Sequence, residues 1–378
     1  MRAVIVGAGV AGLAAAVRLG RDGWETLVVE QAPARRSGGY LVNLLGPGFD
    51  AAERLLPGLA ARDLGLFTTV LVRADGRPKL TVPAELAAAA LGKRAITVFR
   101  GDLESALFAE VRPCADFRFG TTVTAVTQEE NAVRVTLSDG TVEHADLLIG
   151  ADGVHSATRT AVFGDGWRVP LPYVVGAVDL PGPPAGVPER SGTTFIGPGR
   201  TAAVINLGPQ RSSAFFAYRS ETPRSDLDRG PVDALGAAFG DLGGGVPDAL
   251  RHLALHPGAA YFDAVSQVVM PRWSAGRVVL LGDAAWCVTL FAGHGAGLAL
   301  AGADQLGAAL SAHDDVPAAL AGWERALRPE VTRRQALARR GMRQYAPPNR
   351  FHVWLGDVTV RAVTLPGIRT LVRRAATR

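Results

Sequence analysis

The first hydrophobic feature is a short run at 3–6 with no polar alternation, which predicts a strand covered on both faces. Glycines at 7, 9 and 12 follow. A helix-forming stretch at 13–19 is ended by Gly20 and Gly23, and a second apolar run occupies 26–29. The opening "RAVIVGAGVAGLAAAVRLGRDGWETLVVEQ" therefore reads as strand, glycine turn, helix, strand. Further on, the Thr- and Val-rich stretch 121–137, with "SDG" at 138–140, predicts an antiparallel hairpin arm leading into a strand at 146–149. The run at 277–281 predicts another buried strand.

Between 166 and 269 the pattern changes. Pro-Gly stretches such as "LPGPPAGVP" alternate with the β-like segments "TTFIG", "TAAVINLG" and "SSAFFAYRS", the pattern of an open antiparallel sheet inserted as a separate layer. After 297 the pattern is helical. The expected fold class is α/β with an α+β insertion: a Rossmann-like domain on a parallel sheet, a smaller domain of mostly antiparallel sheet, and a long C-terminal helix. The expected divisions are 1–70 with 97–165 and 270–325, then 71–96 with 166–269, then a helical segment 326–378. "RALRPEVTRRQALARR" within that segment is basic and amphipathic; a helix packed across both domains with its arginines in solvent is favoured over a membrane-surface or calmodulin-target-like role.

Composition narrows the class. The 378 residues are 48% hydrophobic and 20% charged, as in globular chains. No apolar run approaches membrane-spanning length, so no membrane span is expected. Glycines inside the first apolar stretch argue against a signal peptide. Cys114 and Cys287 are the only cysteines, which suits a reducing cytoplasm rather than a disulfide framework. The net charge is +5, and Lys79 and Lys93 are the only lysines among 40 basic residues. Those arginines are dispersed except near the C-terminus and no nucleic-acid motif accompanies them, so no nucleic-acid partner is expected. The seven histidines show no metal-ligand spacing, and no metal is expected.

Chemistry enters with Gly7-Ala8-Gly9-Val10-Ala11-Gly12. In a GxGxxG between strand and helix, Gly7 allows the turn, Gly9 admits a pyrophosphate to the backbone, and Gly12 lets helix and strand pack. Glu30, 18 residues after Gly12 at the end of the second strand, is placed for a ribose hydroxyl. These residues alone fit FAD or NAD equally.

Two later stretches separate them. "DLLIGADGVHSATR" at 146–159 and "RVVLLGDAAWCVTLFAGHGAGLAL" at 277–300, with GAGVAG, resemble in order and spacing the fingerprint of class A flavoprotein monooxygenases, the p-hydroxybenzoate hydroxylase fold. "RRSGGYLVN" at 35–43 and "FRGDLESAL" at 99–107 resemble two further segments of that family. Tetracycline-inactivating and polyketide-hydroxylating enzymes are among the members it resembles most.

The resemblance implies an FAD-binding domain, a substrate domain and FAD as cofactor, with NADPH or NADH docking transiently as co-substrate. It implies oxygen addition to reduced flavin and hydroxylation by the resulting flavin hydroperoxide. It assigns cofactor contacts to Arg36, Arg100, Asp152 and Asp283, and to the backbone around Gly293, Gly295, Ala296 and Gly297. A helix starting there would aim its amides at the reduced ring. Departures from the family pattern make Trp286, Leu290 and His294 flavin-proximal candidates. For His294 a backbone-packing role is favoured over proton donation, and Trp286 reads as wall or core rather than catalyst. Cys287 reads as a small buried apolar residue, and Arg159 equally as a surface charge. Phe195, Asn206, Phe215 and Tyr218 are the substrate-wall candidates, with Phe215 and Ala217 on one strand face and Phe216 and Tyr218 on the other. The expected substrate is an aromatic or polycyclic natural product. A same-fold oxidase, reductase or Baeyer–Villiger-type enzyme is the alternative, a non-catalytic ligand-sequestering flavoprotein the remote one, and no halogenase Trp-x-Trp-x-Ile-Pro motif occurs.

Overall fold

A computed structural model describes residues 1–35, 40–86, 92, 94–209 and 211–364. Arg36, Gly38 and Gly39 of the expected flavin loop lie outside the described residues.

The strand Arg2–Val6 sits inside a six-stranded sheet, paired in parallel with Glu25–Glu30 on one side and Leu147–Gly150 on the other. Its alternation explains why the sequence shows no polar positions. Ala3 and Ile5 enter a core shared with the helices Val10–Arg21 and Gly295–Ser311, whereas Val4 and Val6 enter a second core against a small antiparallel sheet. Both faces are dry, and each fully buried Val or Ile contributes about 2 kcal/mol of transfer free energy. That small sheet contains the antiparallel arm expected at 121–137 and extends it by one strand. Val123–Gln128, Val133–Leu137 and Val142–Ala145 form three antiparallel strands, so "SDG" joins the second strand to the third.

A seven-stranded sheet takes its strands from 68–82 and 168–268 and is antiparallel except where Ser191–Gly197 pairs with Thr68–Val72. One face packs Val174, Phe216 and Tyr218 against the helices Pro223–Phe239 and Val246–Leu255. The other carries Val175, Phe215 and Ala217 toward Phe291 and Met342. The helix Val316–Tyr345 starts at Asp315, whose side chain accepts from Ala318 N–H at 3.0 Å, and buries Trp323, Leu327, Val331 and Met342. Its arginines are not all in solvent: Arg328 donates to the Met270 carbonyl and Arg339 to Gln267. The divisions expected at 70/71, 96/97 and 325/326 fall inside the strands Thr68–Val72 and Ala95–Phe99 and inside this helix.

Candidate active site

A cavity of about 400 Å³ runs from the start of the first helix, at Gly9, Val10 and Ala11, to the inner face of the seven-stranded sheet at Val175, Ala203, Ile205, Ser213 and Phe215. Three local structures build its cofactor-sized end.

The first is the glycine turn. Gly7 has φ +105°, and a β-carbon there would lie 2.5 Å from the Ala151 carbonyl oxygen. At Gly12 a β-carbon would stand 1.9 Å from the Gly7 carbonyl, so helix and turn touch only because no side chain intervenes. Gly9 caps the helix without a side-chain hydrogen bond of its own; the Val10 N–H is met by the Glu104 carboxylate, and the rest of the first turn borders the cavity. Glu30 closes the turn from the next strand, accepting from Ala8 N–H and Ala32 N–H at 2.8 Å each. Its carboxylate keeps lone pairs beyond those two bonds.

The second is the end of a two-stranded ribbon, Leu41–Leu45 with Ala95–Phe99. Arg100 N–H donates to the Tyr40 carbonyl at 3.0 Å, which sets both residues on the cavity wall. Arg100 pairs with Glu104 at 2.6 Å. Burial pulls its guanidinium down, and Glu104 with the surrounding acidic groups more than restores it, leaving a firmly held cation. Burial also raises the Tyr40 and Tyr261 hydroxyls, so both stay neutral. Their rings lie 6.0 Å apart.

The third is the stretch after Val278–Leu280. Gly282, with φ +66°, turns the chain so that Asp283 starts a short helix, its carboxylate opening onto the cavity. Burial raises the Asp283 carboxyl above the usual carboxylate range, and Arg100 offsets part of that. The chain then passes Thr289, at φ +89°, and Leu290, which both line the cavity, to Gly293, Gly295 and Ala296. The helix Gly295–Ser311 begins here without a side-chain cap, its open amides facing the same space.

Several expected residues stand elsewhere. Trp286 is fully buried against Trp273 and Trp323, centroids 4.7 and 5.8 Å away, and its ring packs on Gly302 of the helix Gly295–Ser311, where no side chain intervenes. His294 turns from the cavity: its Nδ1 meets the Ala292 carbonyl at 2.6 Å and its Nε2 meets Arg334 of the long helix. Burial and Arg334 lower its pKa. Gly297, expected to clear space for a ring, packs on Gly48 instead. Asp152 spends its carboxylate on the start of the helix Ala157–Phe163, accepting from Ser156 Oγ, Thr158 N–H and Thr158 Oγ1 at 2.5, 2.9 and 3.0 Å. Its neighbours Ala151, Gly153 and Val154 line the cavity. Of the four substrate-wall candidates, Phe215 lines the cavity. Phe195 and Tyr218 pack with the helix-covered face of the sheet, and Asn206 holds the Val187 carbonyl at 2.8 Å and Gly208 N–H at 3.1 Å.

The sequence reading did not single out Tyr40, Tyr261, Asp263, Ser266, Phe291 or Tyr345, all on the cavity wall. Asp263 lies opposite Val175 in the sheet, with its Oδ2 3.0 Å from His155 Nε2. Nothing local marks it; only strand register turns it inward. Arg159 is buried rather than a surface charge, donating to the Ala284 and Val154 carbonyls. Cys287 is buried as expected but borders the cavity, its thiol 3.4 Å from the Ser266 carbonyl.

These features fit FAD: two helix starts for the pyrophosphate and the ring, a cation in Arg100 and a carboxylate in Asp283 for the chain between them. Two FAD binding domain families match the chain, one over residues 2–44 and one over 67–167. A 3-amino-4-hydroxybenzoate 2-monooxygenase from Streptomyces cremeus is 32% identical over 327 residues, covering 84% of this chain and 80% of its own. A 2-heptyl-3-hydroxy-4(1H)-quinolone synthase from Pseudomonas aeruginosa is 28% identical and covers 100% and 98%. Among solved structures, Klebsiella pneumoniae HpxO complexed with FAD and uric acid superposes with a TM-score of 0.78 at 25% identity, over 100% and 96% of the two chains. The tetracycline destructase Tet(51) has the same fold, with a TM-score of 0.82 at 24% identity over 99% and 97%. With matching motifs, fold and relatives along most of its length, this chain belongs to the class A FAD-dependent monooxygenases.

Proposed function

We propose that the protein hydroxylates an aromatic or polycyclic small molecule, using FAD, a nicotinamide reductant (NADPH or NADH) and O2. One observation carries the reading: a single cavity joins the glycine turn at Gly9 to the aromatic sheet face at Phe215, with Arg100 and Asp283 between them. Bound FAD would supply the redox chemistry that activates oxygen.

The protein's own part is binding, orientation and charge. Gly7, Gly9 and Gly12 bring the backbone to the pyrophosphate, and Glu30 meets the ribose. Arg100 and Asp283 hold the polar chain of the cofactor. The open amides near Gly293, Gly295 and Ala296 favour negative charge on the ring. Phe215, Phe291 and Tyr345 enclose an aromatic substrate and exclude water. Asp263, held by His155, accepts the proton of a phenolic or enolic hydroxyl at that wall. The oxidase or reductase alternative drew on the altered residues 286–290, and Trp286 lies away from the cavity, which leaves Thr289 and Leu290 as its remaining support.

The test is turnover of the flavin-loaded enzyme with NADPH or NADH under ¹⁸O₂, using 3-amino-4-hydroxybenzoate, a 4-quinolone and a tetracycline as probes. One labelled oxygen in an aromatic product is the expected result. Reductant consumption matched by hydrogen peroxide, with every probe unlabelled, would assign an oxidase.

A further inference from the structure

The helix Arg350–Thr364 follows the Pro347–Pro348 break and joins the body along one edge. Val353, Asp357 and Val360 are half-buried there, and Asp357 forms an ion pair with Lys79 at the outer strand of the seven-stranded sheet. The opposite face is apolar and open. Phe351, Trp354, Leu355 and Val358 are 61%, 57%, 47% and 41% exposed among the described residues. Their spacing of i, i+3, i+4 and i+7 makes one continuous stripe, on which the Phe351 and Trp354 rings lie 5.8 Å apart. An apolar patch of this kind matches the largest on a typical monomer, and such patches are often functional.

Charge and area identify the partner. From 343 onward the sequence carries seven arginines and one acidic residue, Asp357, which Lys79 neutralises. Arg350 opens the helix at the flank of the stripe. The four side chains present roughly 400 Å², about half of the ~800 Å² that each partner of a stable protein complex buries. A narrow stripe centred on Trp and Phe, flanked by Arg350 and carried on an arginine-rich stretch of sequence, matches the boundary of an anionic bilayer. No helix among the described residues is long and apolar enough to cross a membrane, so the contact is peripheral.

We propose that the helix Arg350–Thr364 seats the enzyme on an anionic lipid surface through Phe351, Trp354, Leu355 and Val358. The assignment is independent of the proposed reaction. The long helix that precedes this surface ends at Tyr345, which lines the cavity.

The test uses the full-length, flavin-loaded protein with vesicles of phosphatidylcholine alone or mixed with phosphatidylglycerol. The expected result is co-sedimentation with the anionic vesicles, weakened by salt, and a drop of about tenfold or more in the Trp354→Glu/Leu355→Glu protein. Flavin content reports that the variant is folded. As a check that needs no variant, brominated lipid should quench the wild-type fluorescence, because Trp354 is the only exposed tryptophan among the described residues. Equal sedimentation of variant and wild type would overturn the proposal, as would absence of binding and quenching. Two other occupants would also overturn it. A vesicle-free dimer abolished by the same substitutions would assign the stripe to a second copy. Chemical cross-links between 351–358 and residues 365–378 in the vesicle-free monomer, with no binding to either vesicle, would assign it to residues 365–378 of the chain itself.

Discussion

The buried guanidinium of Arg159 donates to the carbonyl oxygen of Ala284 at 3.0 Å, linking the stretch after Gly153 to the stretch that presents Asp283. Its other branch holds the Val154 carbonyl at 2.8 Å. Burial lowers its pKa, with Asp152 opposing, yet an arginine remains charged. Arg159→Met leaves both carbonyls without that donor. The expected loss is about 2–3 kcal/mol of stability, together with reduced flavin retention. Thermal unfolding and flavin content of the purified variant measure both.

Asp283 illustrates a conflict between stability and binding. Its folded pKa is raised by burial, so its charged form disfavours the fold. That cost is absent below the ordinary carboxylate pKa, grows as pH rises through the raised pKa, and is constant above it. Flavin-free Asp283→Asn should therefore melt above the wild type at neutral pH, with the gap closing as pH falls into the ordinary carboxylate range. The same variant should bind FAD more weakly. Melting curves of flavin-free protein across that pH range and a flavin titration test the two halves separately.

Trp286 packs with Trp273 and Trp323 rather than along the cavity. Trp286→Ala is expected to cost about 3–5 kcal/mol, whereas Trp286→Phe should leave turnover per bound flavin unchanged. A turnover loss in the Phe variant at full flavin occupancy would place Trp286 in the chemistry instead.

Sheet alternation separates Phe215 from Phe195. Phe215 faces the cavity, and Phe195 packs toward the helix layer with Arg200 5.5 Å above its ring. Phe215→Ala should raise KM for an aromatic substrate by about tenfold with flavin binding intact. Phe195→Leu should change stability and leave KM alone. Steady-state kinetics of the two proteins, each at saturating FAD, distinguishes these outcomes.

The local motifs were legible because their causes are local. A strand buried on both faces shows as an unbroken apolar run. A left-handed turn at Gly7, or contact between the Gly12 position and the Gly7 carbonyl, shows as glycine. The strand, turn and helix of the first thirty residues follow from those constraints. The antiparallel arm at 121–137 was legible for the same reason, whereas its third strand, Val142–Ala145, was not, because "VEHA" is short and carries two charged or polar residues.

The sequence by itself determined the order of the elements, the glycine positions that backbone contact requires, and the cluster of motifs that marks an FAD-dependent monooxygenase. Tertiary structure alone decided which side chains meet the cavity. Asp283 reaches it while Trp286, three residues on, enters the core, and His294 is drawn toward Arg334 from a helix forty residues later. Phe215 and Asp263 face inward through strand register, and Asn206 and Tyr218 face away for the same reason. Backbone geometry is encoded within a few residues, whereas the direction a side chain faces depends on the packing of segments distant in the chain.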